Sequence, residues 1–119
     1  MKIHIKGQEL DLHYSMRMYI IFENIMGKSL SFDSSYSYTS LIVLFYSAIM
    51  ATIQRDKLNM TLSYDEFMDW LDSNEPTKTI QEFSEWFTSQ MTVNNNLSDY
   101  TIEHDTEQKM GESESSMNI

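Results

Sequence analysis

Residues 41–53 read Leu-Ile-Val-Leu-Phe-Tyr-Ser-Ala-Ile-Met-Ala-Thr-Ile, and only Ser47 and Thr52 interrupt the apolar run. With nearly every position apolar, neither a helical stripe nor strict alternation stands out, so the segment must be enclosed on all sides. It exceeds a typical strand and falls short of the roughly 20 apolar residues of a membrane span. The run predicts a central buried helix over about 39–54, opened by Ser37 or Thr39 and closed by Gln54-Arg55-Asp56-Lys57. The remaining elements should be amphipathic pieces packed around it.

Upstream, residues 2–14 have the pattern of a hairpin. Ile3 and Ile5 alternate with Lys2, His4 and Lys6, while Leu10, Leu12 and Tyr14 alternate with Glu9, Asp11 and His13. A two-residue loop at Gly7-Gln8, with Gly first, matches a type II′ turn. That register sets Ile5 opposite Leu10 and Ile3 opposite Leu12 on one face. On the other it pairs Lys6 with Glu9 and His4 with Asp11. Since an isolated hairpin is marginal, its apolar face must rest on helices.

Ser15 is positioned to cap a helix over about 15–26, with Gly27 at its end and a stripe of Met18, Ile21, Phe22 and Ile25. A serine-rich connector spans 28–38, in which Leu30 and Phe32 are expected to turn inward. Downstream of the central run, Ser63-Tyr64-Asp65-Glu66 is a capping box, with Leu62 and Phe67 as its hydrophobic staple. It predicts a helix over about 63–73 with inner residues Phe67, Trp70 and Leu71, stopped by Asn74 and Pro76. A last helix is expected over about 78–91, capped by Thr79 and Glu82, with Ile80, Phe83, Phe87 and Met91 inward and Trp86 at the edge.

From Val93 onward the apolar residues are scattered and lack a period. Residues 93–119 hold six acidic residues against one Lys, half of the net negative charge. Such a segment cannot offset its ordering entropy, so an acidic disordered tail is expected after a single globular domain over 1–92. The fold class is therefore mainly α with an N-terminal β-hairpin, an α+β arrangement of about four helices around the central one.

Composition narrows the function. The chain of 119 residues carries a net charge of −10 and no Cys. Disulfides, thiolate metal sites and Cys nucleophiles are thereby excluded. The acidity argues against nucleic acid and anionic membranes as partners. No apolar run follows the charged start Met1-Lys2-Ile3-His4, so a cytosolic protein is expected. Ten Met and fifteen aromatic residues provide an adaptable apolar inventory, for core filling or for a tolerant binding surface.

Catalytic chemistry finds little footing. His4, Asp11 and His13 form a two-His, one-carboxylate set on the polar hairpin face, but exposed hairpins seldom preorganise metal ligands, and a solvated face is the simpler reading. Asp65, Glu66, Asp69 and Asp72 crowd one helix, two of them in a first turn where acids complement the macrodipole. No Gly-x-Ser-x-Gly elbow is present, and with three Gly there is no phosphate-cradling loop. Gly27-Lys28-Ser29 matches only the end of a Walker motif, since position 22 is Phe and no strand precedes it. Neither enzymatic activity nor a cofactor is expected. Surplus apolar residues at element edges, Met16, Met18, Tyr19, Met68, Trp70 and Trp86, are the candidates for a groove that receives a partner helix.

Arg17-x4-Phe22-Glu23-x3-Gly27-Lys28-Ser29-Leu30, after a short hairpin and before a buried helix, resembles the tail assembly chaperones of long-tailed bacteriophages. Leu62-Ser63-Tyr64-Asp65-Glu66 fills the place of the capped helix start typical of that family. The resemblance spans about residues 3–91. Met26, where many members carry Thr, and the polar tail depart from it. It implies a small helical protein of the host cytoplasm, absent from the mature virion. Such a protein binds the tape measure protein and keeps it soluble until tube subunits polymerise around it. It also implies possible self-association, possible production in two lengths by frameshifting, and no catalytic residues. Two competing expectations are an acidic nucleic-acid mimic that inhibits a host protein and a small structural subunit of the virion.

Overall fold

The computed structural model describes the backbone of residues 1–28 and 37–106, with side chains described as far as residue 94. In chain order the elements are β1 (Lys2–Ile5), β2 (Gln8–Asp11), α1 (Met16–Met26), α2 (Tyr38–Arg55), α3 (Tyr64–Asp72) and α4 (Pro76–Thr106). This is the expected α+β class, a two-stranded antiparallel hairpin followed by four helices. The chain divides into two units, Met1–Trp86 and Phe87–Ile119, with the boundary falling inside α4. The expected positions of Leu30 and Phe32 lie outside the described residues. Among the described residues, no helix is long and apolar enough to cross a membrane.

The quoted run forms the middle of α2. Ser37 is its N-cap, its hydroxyl accepting from the Ser40 amide at 3.1 Å. Ten of the helix's residues are buried, among them Val43, Leu44, Phe45, Ala48, Ile49, Ala51 and Ile53. Its two interruptions are also fully buried. The Ser47 hydroxyl donates to the Val43 carbonyl at 2.8 Å, and that of Thr52 donates to Ala48 at 2.8 Å. Thr52 Oγ1 in addition accepts the His13 amide at 3.1 Å, fastening the end of the hairpin to the central helix. The C-terminus of α2 closes in a Schellman arrangement. The Leu58 amide reaches the Ile53 carbonyl at 3.1 Å and the Lys57 amide reaches Gln54 at 3.3 Å, with Lys57 left-handed at φ +54°.

The hairpin forms with a register different from the expected one. Lys2 faces Asp11, Ile3 faces Leu10, His4 faces Glu9 and Ile5 faces Gln8. The two loop residues are Lys6 and Gly7, not Gly7 and Gln8, and both have positive φ, +50° and +77°. A type I′ turn requires that combination. The slip is two residues, one full side-chain period, so Ile3, Ile5, Leu10 and Leu12 still share the buried face. Lys6 is thereby freed from Glu9. Its Nζ instead meets the Thr61 carbonyl at 2.8 Å and Glu66 Oε2 at 3.1 Å, an anchor that compensates for a lysine in the left-handed region.

Helix α1 starts and stops as its caps predict. Ser15 accepts from the Met18 amide at 3.2 Å, and Gly27, at φ +75°, donates to the Glu23 carbonyl at 2.7 Å. Met18 and Phe22 are buried on the side facing α2, and Ile21 is half-buried. Ile25, expected inward, is 46% exposed near the helix end.

Both halves of the Ser63–Glu66 capping box are formed at the start of α3. Phe67 and Leu71 are buried there, and Trp70 is half-buried. Aromatic rings carry the packing of α2, α3 and α4. Phe45 stacks on Phe83 at 4.5 Å and meets Phe67 and Trp70 edge-on at 5.4 and 6.1 Å.

The expectation for the last helix needs correction at both ends. It opens at Pro76, whose missing N–H costs nothing in the first turn, so Pro76 starts α4 rather than only ending α3. Thr79 lies inside the helix and donates its hydroxyl back to the Asn74 carbonyl. The helix then runs past Met91 to Thr106, over part of the expected tail. After Pro76 the helix as far as Thr106 contains no Gly or Pro that would break it. The remainder of the expected tail, 107–119, lies outside the described residues.

Candidate functional site

An apolar groove of about 490 Å³ opens beside the last turns of α2. Met50 and Ile53 of α2 form one wall, and Met60 and Leu62 of the α2–α3 connection form the other. Gln54, Thr61, Ser63 and Glu66 line the rest and supply its polar groups. Ile53 and Leu62 are buried, whereas Met50 and Met60 are half-buried.

Two side chains hold the connection at this spacing by bonding its main chain. The Tyr46 hydroxyl donates to the Leu62 carbonyl at 2.7 Å, and Lys6 Nζ donates to the Thr61 carbonyl at 2.8 Å. One wall is thus tied to the central helix and to the hairpin turn. Burial, and then the nearby Glu66 carboxylate, raise the Tyr46 phenol above its ordinary value, so it remains a donor throughout the neutral range. Glu66 is shifted the opposite way. The Ser63 amide, followed by Lys6, lowers its carboxyl below the ordinary value and keeps a charge at the groove's rim.

The six residues expected to form a partner surface are dispersed. Met16 is 72% exposed on the outer face of α1, while Met18, two positions on, is fully buried and offers no surface. Tyr19 is half-buried, its hydroxyl 2.5 Å from that of Tyr14 with the rings edge-to-face at 5.8 Å. Burial first and that hydrogen bond second push the Tyr19 phenol upward. Met68 is half-buried on α3. Trp70 spends its indole N–H on the His4 carbonyl at 2.6 Å and lies over Phe67 at 6.1 Å, so it joins helix to hairpin. Trp86 is half-buried at 5.7 Å from Phe83. None of the six lines the groove.

The weighed metal set also separates. His13 Nε2 lies 3.2 and 3.3 Å from the two carboxylate oxygens of Asp56, and Asp11 lies 3.6 Å from the N-terminal amine. His4 borders a second, more polar cleft of about 330 Å³ beside Trp70, Glu75 and Glu82. Among the described residues, no group of three or more His, Cys, Asp or Glu could hold a metal ion.

Sequence reasoning missed Met50 and Met60. Met50 falls within a run whose every position looks like core, and Met60 lies in a connection without any period. The available signal was their shared chemistry, two flexible thioethers bracketing the end of a buried helix. No protein-family model, curated protein or solved structure matches the chain.

Proposed function

We propose that this protein is a non-enzymatic holding chaperone that receives amphipathic helices of a client in the groove beside α2. The resemblance to tail assembly chaperones names the client as the tape measure protein, held soluble in the host cytoplasm until the tail tube forms around it. One observation carries the reading: an apolar groove whose lining includes two half-buried methionines and whose wall is fixed through main-chain hydrogen bonds.

A holdase must accept many successive helical segments and release each one. Shape-specific pockets discriminate too strongly for that task, while Met side chains repack around differing knobs at little cost. A volume of about 490 Å³ takes the side chains protruding from one helical face, not a whole helix. The polar rim of Gln54, Thr61, Ser63 and Glu66 can stay hydrated around the contact. The charge of −10 keeps loaded complexes apart.

The test is co-expression with a tape measure protein, scored by the client's soluble fraction. Wild-type protein should raise it. Met50→Glu combined with Met60→Glu should abolish the rescue, provided circular dichroism shows both proteins equally folded. Rescue by the folded double variant would refute the groove. Trp70→Ala is a poor probe because it breaks the bond to the His4 carbonyl and loosens the fold.

A further inference from the structure

The hairpin has two outer edges, and the register decides which backbone groups point outward. Leu12 donates its amide to the Met1 carbonyl at 2.8 Å, and Ile3 faces Leu10. Residues 1, 3 and 5 of the first strand and 8, 10 and 12 of the second therefore turn their N–H and C=O groups toward each other. Lys2 and His4 turn theirs outward on β1, and Glu9 and Asp11 do so on β2.

The β1 edge is occupied, since the His4 carbonyl accepts the Trp70 indole at 2.6 Å. The β2 edge differs. Among the described residues, no hydrogen bond reaches the backbone of Glu9 or Asp11, and both residues are exposed. The open stretch is short, because the next outward amide, that of His13, is taken by Thr52 Oγ1. Four main-chain groups remain, enough for a strand of three to five residues.

We propose that the outer edge of β2 pairs with an extended basic segment of a partner protein, one that alternates Lys or Arg with β-branched residues. The choice of occupant follows from charge on the sheet's polar face. That face already sets Lys2 against Asp11 and His4 against Glu9, and a strand added on the other side of β2 meets the same two carboxylates. Cations at its alternate positions complete the pattern, and β1 itself, Lys-Ile-His-Ile, displays the sequence that fits. A second copy of this chain fits poorly. Joining two β2 edges sets Glu9 and Asp11 of one copy against the same residues of the other, between molecules that each carry −10. This inference is independent of the groove.

The experiment is an NMR titration of the full-length, 15N-labelled chain with the blocked peptide Thr-Lys-Val-Arg-Val-Lys-Thr. Controls are the Glu-for-Lys/Arg peptide and a version N-methylated at alternate peptide nitrogens, which keeps the charge but cannot form the ladder. Addition of the first peptide should shift the Glu9 and Asp11 amides and slow their hydrogen exchange, and neither control should do so. Glu9→Pro removes one outward N–H and leaves the bonds to β1. Glu9→Lys keeps the backbone and reverses the charge, and stands in should the proline variant fail to fold. Each should weaken binding about tenfold, as loss of one ordinary interaction implies. Equal binding of the N-methylated peptide, shifts centred on the acidic face of α3, or concentration-dependent shifts of Glu9 and Asp11 without peptide would each overturn the proposal.

Discussion

Thr52 and Ser47 are both fully buried in α2, both donate to the carbonyl four residues back, and both can lose a hydroxyl with little change of shape. Their substitutions should nevertheless differ. In Ser47→Ala the Val43 carbonyl keeps its helical amide partner, so no polar group is orphaned, and the better helix former offsets the lost bond. Its effect should stay within about 0.5 kcal/mol. In Thr52→Val the Ala48 carbonyl likewise keeps its helical partner, but the His13 amide loses the hydroxyl that accepts it at 3.1 Å in a half-buried place. A buried donor left unpaired costs about 1–3 kcal/mol, and partial access to water places this one toward the lower end, near 1 kcal/mol. For a domain of this size that corresponds to a melting temperature lowered by about 4 °C. Urea unfolding of the two variants followed by circular dichroism gives the comparison, and hydrogen exchange at the His13 amide localises it. Equal stability of the two variants, or undiminished protection at His13, would refute the claim that Thr52 fastens the hairpin.

Phe45→Ala should cost about 3–5 kcal/mol and leave a barely folded chain, because it removes the ring that meets Phe67, Trp70 and Phe83 together; the loss of near-ultraviolet circular dichroism would register it. Lys57→Gly should stabilise by up to about 1 kcal/mol, since Lys57 occupies the left-handed position of the α2 C-terminus at φ +54°; a raised urea midpoint is the check. Glu66 has a lowered folded-state carboxyl, so its contribution is complete above the ordinary carboxylate range and disappears as pH falls through the folded value. Glu66→Gln keeps the capping-box geometry without the charge, and its melting temperature should fall less steeply than wild type between neutral and strongly acidic pH.

What could be read from the residues was what local chemistry determines. The buried run and the Ser15 and Ser63 caps each depend on neighbours within one or two turns, and each forms where the pattern put it, while of Ser37 and Thr39 it is Ser37 that caps α2. The hairpin turn escaped because a slip of two residues preserves both faces, so burial alone could not choose between the registers. The choice falls to turn geometry and to Thr61 and Glu66, more than fifty positions away, which hold Lys6. The length of α4 escaped because scattered apolar residues suggest disorder even where nothing breaks a helix. The lining of the groove escaped for a related reason. Its second wall is an irregular connection held by Tyr46 and Lys6, and such bonds between distant residues leave no period in the chain.

The most direct measurement for the helix-receiving groove is methionine-methyl NMR of the protein labelled at its ten Met methyl groups, titrated with an amphipathic helical peptide from a tape measure protein. The account predicts that the Met50 and Met60 resonances move together and saturate, while Met16 on the outer face of α1 stays in place. Movement of Met16 or Met68 with Met50 and Met60 unchanged would contradict it.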